Sequence, residues 1–308
     1  MNLKSIFFGV GLLAASTSAS ALNIALTNDD GWSTPGIQAL YEALTDAGHT
    51  VILAGPLDGQ SGSGTGFNIS GLEITRQAEQ QYSVALEGGT EGAEPATAGI
   101  IGLGLLEQLT GQTPDLLVSG INSGANLAAA TYTSGTVGAA LHAVGLVLGG
   151  ESIPAIAIST DDRCAEDAGI TDECREVADF LVDYVGHLEQ RPAFQRGFSG
   201  LVPNGQALNI NFPPGEPLGV KIARQGELPL LGGSLRSIEL GCAECAELQV
   251  GESASGGITG LTSYADDEDV KNSDQAWFAE GYITVVVIKP NLSARAKGLK
   301  GYLRQYRY

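Results

Sequence analysis

The chain is poor in positive charge, in histidine and in sulfur, and each shortage removes a class of function. Against 35 Asp and Glu it carries 16 Lys and Arg, a formal net charge of −19 over 308 residues. Gripping a nucleic-acid backbone takes a concentrated basic patch. None precedes the tail, where spaced positives from Arg295 to Arg307 stand among Tyr302, Tyr306 and Tyr308, so a nucleic-acid duplex is not an expected partner. The three histidines, His49, His142 and His187, lie far in sequence from the CxxC at Cys242 and Cys245, which leaves a zinc centre there short of ligands. Long apolar runs are also missing. The run Ile6–Ala15 is too short to span a bilayer, and no cysteine follows it to carry a lipid, so no membrane anchor is expected.

What is present at that end has the form of an export signal. Lys4 supplies a positive start, Ile6–Ala15 an apolar centre and Ala19-Ser20-Ala21 a small-residue cleavage site. The expectation is a signal peptide over 1–21 and an exported protein, periplasmic or secreted. The four cysteines suit that compartment: Cys164 and Cys174 lie around an acidic loop, and Cys242 and Cys245 form a CxxC. Two local disulfides, Cys164–Cys174 and Cys242–Cys245, are the favoured pairing. Redox catalysis or zinc binding by the CxxC are the alternatives.

The rest of the composition is that of a folded chain with one sizeable core, 43% hydrophobic with 43 glycines. The order of elements is β-α-β from the start. Leu22–Leu26 reads as a strand, residues 36–47 as a helix with Ile37, Leu40, Tyr41 and Leu44 on one face, and Thr50–Ala54 as a second strand. Further strands are expected at Leu72–Thr75, Tyr82–Leu86, Leu116–Val118, Ala155–Ser159, Leu208–Phe212, Val220–Arg224 and Tyr282–Ile288. Helices are expected at 100–109, 137–148, 173–188 and 275–280. The pattern predicts an α/β fold: a Rossmann-like, mostly parallel sheet with helices on both faces. The division expected is an α/β core over 22–225, a β-rich excursion or oligomerisation arm over 226–264, and a return to the core with a tail over 265–308.

Three loops carry chemistry. The first strand runs into TNDDGWSTPG, which sets Asp29 beside Asp30. Adjacent carboxylates at a strand mouth repel each other unless a cation sits between them, and Mg²⁺, Ca²⁺ or Mn²⁺ favours such oxygens; an acidic capping turn is the plain alternative. After the second strand comes GPLDGQSGSGTGFN, with the hydroxyls of Ser61 and Ser63 on a glycine-rich chain. The strand at 116–118 leads into SGINSGANLAAATYTSGTVGAA, with Ser119, Asn122, Asn126, Ser134 and Thr136 as neutral donors and acceptors. Ser134-Gly135-Thr136 precedes a helix, a natural phosphate seat of hydroxyls and N–H groups, though with no lysine it is not a Walker loop. In a parallel α/β sheet these loops open on one edge. Asp161-Asp162 reads as a solvated turn, and His142 as a helix residue able to face the site.

Taken together, TNDDG and SGIN…GAN…SGTVGAA resemble the SurE family of survival-protein nucleotidases and phosphatases, and matching segments pace nearly the whole chain after residue 24. The resemblance implies one divalent ion per subunit (Mg²⁺, Mn²⁺ or similar) held by Asp29, Asp30, Ser61 and Asn122, with Asn126, Ser134, Gly135 and Thr136 on the phosphate side. It implies metal-dependent hydrolysis of phosphate monoesters, chiefly nucleoside 5′- and 3′-monophosphates, as by a 5′-nucleotidase or acid phosphatase, with Asp29 and Asp30 catalytic. It also implies a homodimer or homotetramer built through C-terminal arms. The rival is a non-catalytic exported nucleotide- or phosphate-ester-binding protein of the same fold. Asp58-Gly59-Gln60 stands where the family carries basic residues.

Overall fold

The computed structural model describes residues 21–190, 201–227, 235–240, 258–263 and 271–291, less 146, 149, 150, 166, 168 and 204, together with 249 and 253. Its strands are β1 (Asn23–Thr27), β2 (Thr50–Pro56), β3 (Leu72–Ala78), β4 (Gln81–Leu86), β5 (Leu116–Ser123), β6 (Val147–Leu148) and β7 (Glu151–Ser152). The later ones are β8 (Ala155–Thr160), β9 (Ala207–Asn211), β10 (Val220–Ala223), β11 (Leu235–Leu240), β12 (Ile258–Ser263) and β13 (Ile283–Ile288). The helices are α1 (Pro35–Asp46), α2 (Pro95–Thr110), α3 (Gly135–Gly145), α4 (Asp172–Glu189) and α5 (Asp274–Ala279).

Nine strands form one mixed sheet in the order β10-β13-β9-β8-β5-β1-β2-β4-β3. Neighbours are parallel except β9 with β13 and β3 with β4. The chain moves from β1 outward to β2, then returns across β1 to place β5 on its other side, so strand order reverses between β1 and β5. Such a switch point leaves a crevice at the carboxyl ends of the two strands, and β1 delivers Asp29 and Asp30 there.

Side-chain alternation decides which helix covers which face. Ile24 and Leu26 of β1, Leu116 and Val118 of β5, and Ile156 and Ile158 of β8 point one way. They meet Ile37, Leu40 and Leu44 of α1 and Val177, Leu181 and Val185 of α4. The intervening residues, Ala25, Leu117, Ala155 and Ala157, are mostly alanine, and they receive Leu103 of α2 and Val137, Ala140 and Ala143 of α3. Each fully buried Leu, Ile or Val on these faces contributes about 1.5–3 kcal/mol, while the alanines let α3 lie close to the sheet. Local signals set the ends. Pro35 and Pro95 open α1 and α2 at the first turn, Gly111 closes α2 at φ 69°, and Thr171 caps α4 by accepting from the Cys174 N–H.

The structure departs from the sequence expectations in places. α2 begins at Pro95, not Ile100, because proline suits a first turn and the glycines beyond it pack against the sheet. β5 runs on to Ser123, so Ser119 and Asn122 sit on a strand. In β9, Asn209 and Asn211 alternate with apolar residues, and both are fully buried. Within 226–264, the described strands β11 and β12 pair antiparallel with each other. Cys242, Cys245 and residues 1–20 lie outside the described residues. Cys164 and Cys174 form a disulfide with a Cα–Cα distance of 5.1 Å, and both are buried.

Candidate active site

The crevice is built from the end of β1 upward. Asn28 folds the turn: its amide donates to Gly31 O at 2.9 Å and Thr34 Oγ1 at 3.0 Å, and its Oδ1 accepts from the Gly31 N–H. With Asn28 so engaged, the two carboxylates after it face other elements. Asp30 accepts from the Ser123 N–H at the end of β5, at 3.0 Å. Asp29 is buried and accepts from the Thr136 hydroxyl, while the N–H groups of Gly135 and Thr136 at the start of α3 also support it. Burial raises its pKa above the ordinary aspartate value, and these hydrogen bonds offset part of that rise.

The glycine-rich loop after β2 closes the second side. Gln60 N–H donates to Asp29 O at 2.7 Å, and Gly64 N–H donates to Thr133 O at 3.0 Å. The loop lies against α3 where α3 has no side chains. A Cβ at Gly138 would run into Gly64 O, and one at Gly135 would lie 2.7 Å from Ser63 Oγ and 2.9 Å from Asp29 Cβ. Ser63 Oγ is buried there without a hydrogen-bond partner. One turn further along α3, His142 Nε2 lies 3.1 Å from Thr65 O, and its ring stacks on Phe67. His142 therefore pins the loop and does not reach the carboxylates.

The third side is the stretch after β5. Ser134 Oγ caps α3 by accepting from Val137 N–H at 3.1 Å. Asn126 is held from every side: its N–H donates to Asn211 Oδ1 at 2.7 Å, its side-chain amide donates to Ser159 Oγ at 2.8 Å, and its carbonyl accepts from Asn209 and Asn211. Sequence inspection did not single out Asn209, Asn211 or Ser159 for this part. The signal that could have done so is two asparagines at alternate positions in an otherwise apolar strand.

The structure thus brings Asp29, Asp30, Ser134, Gly135 and Thr136 together with Ser63. Ser61 is exposed, and Asn122 donates its amide to Gly124 O at 2.5 Å. Asp161 does not form a second acidic site; it pairs with Arg163 at 2.7 Å and accepts from the Arg163 N–H. A groove of about 720 Å³ runs along the other flank of α3, lined by Val137 and Leu141 with strands β10 and β13, and neither carboxylate lines it. Asp29 and Asp30 thus lie in the crevice and not in that groove.

One expectation is overturned. Among the described residues, no group of three or more His, Cys, Asp and Glu side chains comes together to hold a metal ion. The residues expected to hold one are otherwise occupied: Asp29 by Thr136, Asp30 by Ser123 and the Asn122 amide by Gly124, with Ser61 turned to solvent. The site as formed does not fit the divalent ion inferred from the sequence.

The class that this architecture defines is a Rossmann-like α/β protein with a polar crevice at the switch point of its sheet, closed by a helix start. The family model for survival protein SurE matches residues 24–229, and the chain belongs to that family. It is 37% identical over 193 residues to the 5'-nucleotidase SurE of Solidesulfovibrio magneticus, spanning 62% of this chain and 65% of that protein. It is 36% identical over 210 residues to the 5'-nucleotidase SurE of Desulforudis audaxviator, spanning 67% of this chain and 72% of that protein. The solved SurE protein of Aquifex aeolicus superposes with a TM-score of 0.66 at 25% identity, over 92% of this chain and 99% of that one.

Proposed function

We propose that the protein hydrolyses phosphate monoesters, nucleoside 5′-monophosphates foremost and 3′-monophosphates also, to nucleoside and inorganic phosphate. The single observation that carries this is the meeting of Asp29 with the N-terminus of α3, where the Gly135 and Thr136 N–H groups and the Thr136 hydroxyl face a buried carboxyl. The N–H groups hold Asp29 in place, and the dipole of the helix start favours the negative charge of a phosphate set beside them. Ser63 Oγ, buried and unpartnered beside Gly135, adds a donor to the same place. Charge that builds on the phosphoryl oxygens during transfer is stabilised by the Ser63 hydroxyl and the helix dipole. Asp29 and Asp30 orient the attacking water and accept its proton. The names of the relatives, 5'-nucleotidase SurE, support nucleotides as the ester.

The proposed place of work is outside the cytoplasm, a reading supported by the signal-like start of the sequence and by the Cys164–Cys174 disulfide. Phosphate release from 5′-AMP, 3′-AMP and p-nitrophenyl phosphate tests the activity, run both with chelator and with added divalent salt so that the outcome does not depend on ionic conditions. Turnover of 5′-AMP above the other two is expected. Absence of turnover with every ester under both conditions would leave the binding protein in its place.

A further inference from the structure

Ala128 is a buried, non-glycine residue at φ 46°. An L-residue occupies this left-handed region at a cost, and it stays there only when its surroundings hold it. Here they do. The Ala128 N–H donates to Asp274 Oδ2 at 3.1 Å. Its carbonyl accepts from Thr131 Oγ1 at 2.6 Å and from Gln225 Nε2 at 2.9 Å. Asp274, fully buried, spends its other oxygen on the N–H groups of Gly226 and Gln275, each at 2.8 Å. One carboxyl therefore ties Ala128 to the first turn of α5 and to the chain just beyond β10.

The tie falls between two parts of the crevice. Two residues before Ala128 stands Asn126, anchored to β8 and β9. After it a single short turn, Ala128–Tyr132, leads through Thr133 to the Ser134 cap of α3. Thr133 O in turn receives the Gly64 N–H of the glycine-rich loop. Any change in direction at Ala128 moves the entry to α3, and with it the Gly135 and Thr136 N–H groups.

We propose that Asp274 is a positioning residue for the phosphate seat, acting by holding Ala128 in its left-handed conformation. The proposal rests on the phosphomonoesterase function above. Its test comes from the conformation itself, because glycine adopts that conformation without help. If Asp274 acts through Ala128, glycine at 128 repairs what loss of Asp274 breaks.

The variants are Asp274→Ala, Ala128→Gly and the two combined, with Asp274→Asn as the conservative change should the alanine variant fail to fold. Each is assayed for kcat and KM with p-nitrophenyl phosphate and for inhibition by inorganic phosphate, and its melting temperature is recorded. A seat misplaced by about an ångström loses on the order of a hundredfold in rate, so Asp274→Ala is expected to lose about ten- to a hundredfold in kcat/KM with weakened phosphate inhibition. Ala128→Gly alone should stay within about threefold of the parent, and the double variant should recover at least about fivefold over Asp274→Ala. Parental kinetics in Asp274→Ala, or a double variant no better than Asp274→Ala, overturns the proposal. Should the parent turn over no ester, the function falls but the role of Asp274 is still tested by amide exchange. Faster exchange confined to 126–136 in Asp274→Ala supports it, and unchanged or uniformly faster exchange overturns it.

Discussion

Replacing Gly138 by alanine is expected to destabilise the protein, against the usual sign for a glycine inside a helix. In a helix interior, alanine is favoured over glycine by about 0.5–1 kcal/mol. At Gly138 the added Cβ runs into Gly64 O, a backbone atom that moves only if its loop moves. Forcing a methyl group into such packing costs about 1–3 kcal/mol, so the net effect is a loss of up to about 2 kcal/mol. In a protein of this size each kcal/mol shifts the melting temperature by roughly 2–4 °C. The control is Gly104→Ala in α2, where the site is exposed and nothing lies within 4 Å; that change should raise stability by about 0.5–1 kcal/mol. Thermal melts of both variants, followed by circular dichroism, read the two signs. Gly138→Ala should also lose ester hydrolysis, because lifting the loop takes Ser63 away from Gly135. A Gly138→Ala protein as stable as Gly104→Ala, with unchanged kinetics, would refute the close packing of loop on helix.

Two further outcomes follow from other parts of the fold. Replacing Cys164 and Cys174 by serine opens a bridge with a sequence separation of 10, worth about 3 kcal/mol by loop entropy; melting should fall by several degrees, and an unchanged melt would show that the bridge does not constrain the chain. Burial raises the Asp161 pKa, but hydrogen bonds and charge from Arg163 outweigh this and leave it lowered. Its stabilisation is therefore full above the ordinary value of 3.8 and fades as pH falls through the lowered one. Asp161→Asn should cost about 1–2 kcal/mol at neutral pH, with the gap to the parent closing in acid; a gap that widens in acid would contradict the sign.

Much of the fold was legible because its signals are local. Short apolar runs marked the strands, and prolines and glycines marked helix ends. The β-α-β order pointed to a parallel sheet, and with it to the Asp29 loop and Ser134–Thr136 opening on one edge. What escaped notice depends on three-dimensional neighbours. Ser63, not Ser61, faces α3, because the register of a glycine-rich loop is set by what it packs on. The part played by Asn209 and Asn211 stayed hidden because their buried acceptor 83 to 85 residues away, the Asn126 carbonyl, leaves no trace in strand periodicity. The contact of Asp274 with the Ala128 N–H, 146 residues away in the chain, is hidden for the same reason. The divalent ion was inferred from two adjacent carboxylates, and the fold separates their duties, sending one to α3 and the other to β5.

The most direct test of the central claim is phosphate release from 5′-AMP by the parent and by Asp29→Asn, each checked for folding by circular dichroism. The expected result is a parent that turns over and an intact variant slower by about a thousandfold. A folded Asp29→Asn protein working at the parental rate would contradict it.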